Sequence, residues 1–276
     1  MKKSLNLIIV ALLFSVAAFA LNPSKEYSVK PEEYGMNYKT IKIPTDDGLQ
    51  LNAWFFPSPQ TSYKLIILSG SGDGNMSDMI ELAGFFLSLD YSVITYDYRG
   101  YGESSDFKIN KEFYTYAQFA KDLQAVLTYA KTNYANLPKI NLYGKGIGAS
   151  LSLSIGSSRK IDYIIADSPY STLESIQQRI HEKQNVDIRL PLGYNKLDME
   201  PQYALAEKGG TALKGILYIA GEKDILYTEK DMKELVKLRK DISKVYIAEN
   251  ATMSNTLLSN KTKYFAAIKD FLKQDK

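Results

Sequence analysis

Residues 139–157 read KINLYGKGIGASLSLSIGS, and the fold turns on how they are read. KINLYG is a short, mostly apolar run with the length of a buried strand, and ASLSLSIG has the composition of a packed helix. Between them Gly144, Gly146 and Gly148 alternate with Lys145 and Ile147. Glycine at every second position marks a turn in which backbone meets backbone closely. The stretch therefore predicts a strand, a tight turn and a helix.

The same alternation extends outward from it. Strands are expected at 63–70, 91–98, 161–168, 215–224 and 244–250. Helices are expected at 79–89, 112–134, 232–241 and 263–273. Upstream, TIKIPTDDGLQLNAWFF places two strands around Asp46-Asp47-Gly48, a hairpin signal. Apolar strands separated by amphipathic helices imply a mostly parallel sheet covered on both faces. Residues 170–212 break the alternation with Pro191, Gly193, Pro201 and two glycines. Such an insertion is expected to form a small lid over the carboxyl ends of the strands, where open α/β sheets bind ligands.

Composition narrows the function classes. A chain of 276 residues suits one α/β domain. There are 34 basic and 31 acidic residues; without Lys2 and Lys3 the basic count is 32, leaving a net charge of about +1. That balance is no nucleic-acid footprint. With no cysteine and one histidine, His181, thiolate catalysis, disulfides and cysteine metal sites are excluded, and no metal-ligand spacing is present. No cofactor is expected. The 21 tyrosines read as half-buried packing with a wet hydroxyl.

The N-terminus has the three parts of an export signal: Lys2-Lys3, an apolar run from Leu7 to Phe19, and Ala18-Phe19-Ala20 as a small-x-small cleavage site. The run is short for a membrane span of about 20 residues. Residues 1–20 are expected to be removed, leaving 21–276 as one domain that is secreted or periplasmic, with no stable membrane span. An uncleaved anchor is the alternative.

Four stretches carry a family resemblance. They are Leu68-Ser69-Gly70-Ser71-Gly72-Asp73-Gly74-Asn75, Tyr96-Asp97-Tyr98-Arg99-Gly100-Tyr101-Gly102-Glu103-Ser104, the 144–148 turn, and Gly221-Glu222-Lys223-Asp224. In this order the chain resembles the α/β-hydrolase superfamily, near its BEM46-like and serine-aminopeptidase-like branch. The resemblance implies a mostly parallel sheet of about eight strands with helices on both faces and a small helical lid. It also implies an oxyanion-hole loop at 68–75, a nucleophile elbow at 144–148 and a triad acid at Asp224.

The departures from the family pattern bear most on function. The elbow pattern is G-x-S-x-G, and Gly146 occupies the serine position. The base is expected ahead of the closing helix, and Met253 stands there. Only Asp224 of the three triad positions keeps its group. In a protease of this chemistry, loss of nucleophile or base lowers turnover roughly a million-fold, on the order of 8 kcal/mol of barrier.

Other residues offer poor substitutes. Ser150 reads as a packed helix serine, Ser168 as a turn residue before Pro169, and His181 as a solvated histidine. Asp224 reads as a turn cap, and Asp97 and Arg99 as a structural brace. Asp73 is expected to oppose an anion in the hole. What remains is a pocket built from the amides of Ile147 and, by the resemblance, Ser71, with Lys145 beside them and space above Gly146. It is expected to hold a small carboxylate or carbonyl ligand. Three functions stay open: a non-catalytic ligand-binding or interaction module, an ester or peptide hydrolase with a non-standard nucleophile, and an envelope scaffold.

Overall fold

A computed structural model describes residues 21–207 and 212–273; the expected leader at 1–20 lies outside them. The elements run β1 (Asn22–Pro23), β2 (Lys39–Pro44), β3 (Gln50–Phe56), β4 (Lys64–Ser69), β5 (Asp73–Gly74), α1 (Ile80–Leu87), β6 (Ser92–Tyr96), α2 (Ala117–Asn133), β7 (Lys139–Lys145), α3 (Ile147–Ser157) and β8 (Tyr163–Asp167). Then follow α4 (Leu173–Gln184), α5 (Lys196–Met199), α6 (Pro201–Ala206), β9 (Gly215–Gly221), α7 (Glu229–Leu238), β10 (Ser243–Ala248), α8 (Thr256–Ser259) and α9 (Lys261–Leu272).

Eight strands form one sheet in the order β10-β9-β8-β7-β4-β6-β3-β2. β3 runs antiparallel to β2 and β6, and the other pairs are parallel. The strands have no polar face because both faces are covered. Leu65, Ile67, Leu142, Ile164, Ile216 and Tyr218 pack on one side with α2, α3 and α7. Ile66, Leu68, Tyr143, Ile165, Leu217 and Ile219 pack on the other with α1 and α9. The register sets Ser69 beside Gly144, Lys145 beside Asp167, and Ala248 beside Gly221. The carboxyl ends of β4, β7, β8 and β9 thus meet at one rim, where the loops of interest emerge.

Two segments depart from the sequence reading. α2 begins at Ala117, five residues later than expected, because Tyr114 is drawn away into the core. Its N–H bonds the Arg189 carbonyl at 3.0 Å and its hydroxyl meets that of Tyr227 at 2.8 Å. Residues 22–28, for which the sequence predicts no element, form a strap over the 70–75 loop. β1 pairs in parallel with β5, and Asn75 Nδ2 donates to the carbonyls of Ser24 and Glu26. Leu21 is buried beside Gly72.

Asp97 and Arg99 brace the fold separately rather than pairing with each other. Asp97 accepts from Tyr27 Oη at 2.6 Å and from the Met76 N–H at 2.8 Å. Arg99 is buried between Asp122 and Asp47, with ion pairs of 2.7 Å to each. Two carboxylates on one guanidinium supply the partners that a buried charge requires.

Candidate functional site: a strand-to-helix elbow beside an open cleft

The elbow is set by close approach. A Cβ on Gly144 would collide with the carbonyl oxygen of Gly148, and one on Gly148 would collide with that of Ser69. Only glycine fits at either position, so β7 turns straight into α3. Gly146 sits at the apex with φ +54° and ψ −116°, a backbone that side-chain-bearing residues rarely adopt. Its N–H bonds the Asp167 carbonyl at 2.8 Å.

Two residues crowd the space that a side chain at 146 would enter. A Cβ placed there lies 3.1 Å from Met253 Sδ and 3.3 Å from Ser71 Cβ. The structure therefore brings Ser71, Gly146 and Met253 together. Among the described residues, the backbone N–H groups of Ser71 and Ile147 find no acceptor in the protein. Free N–H groups at the start of a helix carry partial positive charge and attract oxygen. α3 spans 11 residues, enough to sustain that polarity.

Met253 is held from behind. Asp224 Oδ1 accepts from the N–H groups of Leu226 and Tyr227 at 2.9 and 2.8 Å, and Oδ2 accepts from the Met253 N–H at 2.5 Å. The carboxylate fixes the backbone of residue 253 and caps its own turn, so the thioether faces Gly146. Three residues on, Thr256 Oγ1 donates to Asp167 Oδ2 at 2.6 Å. Asp167 is fully buried and also accepts from Tyr264 Oη and Ser168 Oγ. Burial raises its pKa against the opposing pull of Lys145 and these donors. Asp224 and Asp167 together clamp the 253–256 segment.

The cleft beside the elbow has a volume of about 420 Å³. Of the predicted ligand-binding residues Ser71 and Lys145 line it, with Met253 and Ser254, whereas Gly146 and Ile147 do not. Asp73, Asp78 and Glu81 also line it, with Met79, Leu82, Leu257 and Leu258 as apolar wall. Burial raises the pKa of Asp78, Asp73 adds to the rise, and Lys145 opposes it. Lys145 faces this space and makes no ion pair among the described residues. The expected lid segment is helical, but none of its described residues lines the cleft. Its α5 and α6 pack on α3 instead.

The remaining candidates lie outside the cleft. Ser150 is buried, and its Oγ accepts from the Tyr170 N–H at 2.9 Å. Ser168 is buried in a left-handed conformation (φ +57°), with its hydroxyl donated to Asp167. His181 is exposed, and its Nδ1 lies 2.8 Å from Asp187 Oδ1. Sequence reasoning missed Asp78 and Glu81, which stand just before and just inside what read only as a core helix at 79–89. It also missed Asp167, whose signal was an acid closing an apolar strand just before Ser-Pro. Among the described residues no cluster of metal-ligating side chains occurs, and no helix is long and apolar enough to cross a membrane.

Comparison with known proteins agrees with this fold. Residues 60–183 match the family described as serine aminopeptidase, S33. The chain is 26% identical to protein bem46 of Schizosaccharomyces pombe over 261 residues, covering 91% of this chain and 82% of that protein. It is 23% identical to the uncharacterized protein YqkD of Bacillus subtilis over 248 residues, covering 86% and 80%. Among solved structures it is similar to the esterase Pf2001 of Pyrococcus furiosus, with a TM-score of 0.71 and 20% identity over 92% of this chain and 97% of that one. The chain has the α/β-hydrolase fold and resembles the BEM46-like, serine-aminopeptidase-like branch of that superfamily.

Proposed function

We propose that this protein is an exported α/β-hydrolase-like module that binds a small carbonyl or carboxylate ligand and does not cleave it. The observation that carries this reading is the apex of the elbow. Gly146 has no attacking group, and the neighbour that faces it is the Met253 thioether, which takes no proton at neutral pH. The two unpaired amides and Lys145 supply attraction for an oxygen. Asp73, Asp78 and Glu81 make the surroundings acidic, so a neutral carbonyl is favoured over a free carboxylate. The leader pattern at residues 1–20 supports export.

A second reading has support in the esterase similarity and the aminopeptidase description: an ester or peptide hydrolase with a non-standard nucleophile. Against it, Ser150 and Ser168 are buried with their hydroxyls engaged, and His181 is paired with Asp187.

The experiment that separates them treats the purified protein with a fluorophosphonate probe and p-nitrophenyl esters, alongside calorimetric titration of small esters, amides and carboxylates. The proposal expects binding without labelling or turnover. Labelling abolished by Ser168→Ala, or turnover lost in that variant, rejects it in favour of hydrolysis. Silence in every titration rejects the ligand reading.

A further inference from the structure

We infer that the rim of the sheet opposite the cleft is a docking surface for a bilayer carrying anionic headgroups, and that it turns the cleft away from that bilayer. This face is distinct from the ligand site, and nothing about it depends on what the cleft binds.

Charge is divided unevenly between the two rims. At the amino-terminal rim, helices end and parallel strands begin. Four segments there, 131–139, 157–163, 237–244 and 269–273, carry ten basic residues and three acidic ones. Three segments at the carboxyl rim, 70–81, 97–112 and 221–231, carry five basic residues and eleven acidic ones. A chain that is close to neutral as a whole therefore has a positive end and a negative end. Helix termini favour a cation in the last turn, which accounts for Lys131, Lys237 and Lys269. It does not account for Lys160 and Lys240, which follow α3 and α7, or for Lys244 in β10. All six are exposed. Of the three acids, Asp162 is engaged by Lys214 at 3.0 Å and Asp270 by Lys273 at 2.6 Å.

The cations are close enough to act on common neighbours. Burial lowers the Lys131 pKa, and Arg159 and Lys160 add to the effect. Lys273, with Lys269 and Lys244 behind it, holds the Asp270 carboxyl low. Neighbouring strands lie roughly 4.8 Å apart, so β10, β9, β8, β7 and β4 present a front about 20 Å wide. Like charges gathered on one face repel one another, and an anionic surface relieves that repulsion. Two apolar side chains stand among them. Tyr63 is 65% exposed, and its carbonyl accepts from the Lys139 N–H at 3.1 Å. Val245 is 45% exposed and follows Lys244. A phenol ring and long lysine stems suit the boundary between headgroups and hydrocarbon, which favours a bilayer over a nucleic acid. The same surface repels the acidic rim that carries Asp73 and Asp78, so the cleft faces solvent.

The test floats the purified protein with vesicles of phosphatidylcholine, alone or with about 30% phosphatidylglycerol. Attachment through the apolar leader is the same on both. At low salt, at least about tenfold more protein is expected on the anionic vesicles, and the excess is expected to vanish at about 0.5 M salt. The chain has no cysteine, so Tyr63→Cys and Ile225→Cys each place one environment-sensitive dye, on the basic and the acidic rim. Only the dye at 63 is expected to shift to the blue. Lys160→Glu, Lys240→Glu and Lys269→Glu together are expected to abolish the excess. Lys108→Glu, Lys223→Glu and Lys230→Glu together make the same change in net charge at the other rim and are expected to keep it. Equal binding to both vesicles, a shift at 225 in place of 63, or equal loss in the two triple variants overturns the proposal. Tighter binding to duplex DNA than to anionic vesicles at the same salt overturns it in favour of a nucleic acid. The wild-type vesicle comparison decides even where a variant fails to fold.

Discussion

Met253 Sδ stands 3.1 Å from the position that a side chain on Gly146 would first occupy. A thioether is thus placed against the backbone hydrogen of a glycine, in a fold whose hydrolases set an imidazole against a hydroxyl. Neither residue is sterically isolated. A larger group at 146 presses on the sulfur, and the sulfur fills part of the room the larger group would need.

Installing a serine at 146 and a histidine at 253 is expected to give a reactive nucleophile. Gly146→Ser alone adds a side chain in a left-handed backbone, costing about 1–3 kcal/mol of stability, and lacks a base. Combined with Met253→His, it is expected to react with a fluorophosphonate at least about 100-fold faster than the single variant, the usual contribution of a general base. Equal labelling of the two variants rejects the alignment of these positions.

Asp224 is expected to matter for stability without any catalytic role. It accepts three backbone N–H bonds, and the single carbonyl oxygen of Asn cannot replace both carboxylate oxygens. Asp224→Asn is expected to lose about 1 kcal/mol, the low end of the cost of leaving a donor unpaired because these bonds are half-buried, as read by urea unfolding. An unchanged midpoint contradicts the clamp.

Asp97 makes stability depend on pH. Burial is the largest influence on its carboxyl and pushes the pKa up to about 6, against donors from Tyr27 and Met76 that pull it down. Unfolded, the group titrates near 3.9. The folded protein therefore keeps this proton longer, and the contribution of Asp97 to stability is greatest below about pH 4 and falls as pH rises towards 6. Relative to Asp97→Asn, the wild type is expected to lose up to about 3 kcal/mol between pH 4 and 7. A flat difference across that range refutes it.

Charge in the cleft is expected to set ligand preference. Asp73 lines the cleft at the surface, where single charge interactions are small. Asp73→Asn is expected to raise affinity for small carboxylates by up to about fivefold and to leave neutral esters unaffected, as measured by calorimetry. Weaker carboxylate binding in the variant contradicts the acidic lining.

Much of this architecture was legible because its signals are local. Period and composition marked the strands and most helices. The glycines at 144, 146 and 148 announced the elbow, since close backbone contact leaves a residue-type signature. The family resemblance set Gly146 and Met253 at the nucleophile and base positions before their proximity was visible. What stayed hidden depends on contacts distant in sequence. Nothing in residues 22–28 foretells their pairing with β5, half a hundred residues on. Nor does the sequence indicate that Asp167 collects hydroxyls from Ser168, Thr256 and Tyr264, or that Tyr114 leaves the helical path to meet Tyr227. The lid was legible as helices, but its place was not, because the packing of α5 and α6 on α3 is a tertiary choice.

The strap has a practical corollary for anyone handling this polypeptide. The Leu21 side chain packs beside Gly72, so a purification tag or fluorescent fusion joined just ahead of it would start beside the loop that carries Ser71. Such appendages belong after α9, on the opposite terminus, where they leave the loop bearing Ser71 undisturbed.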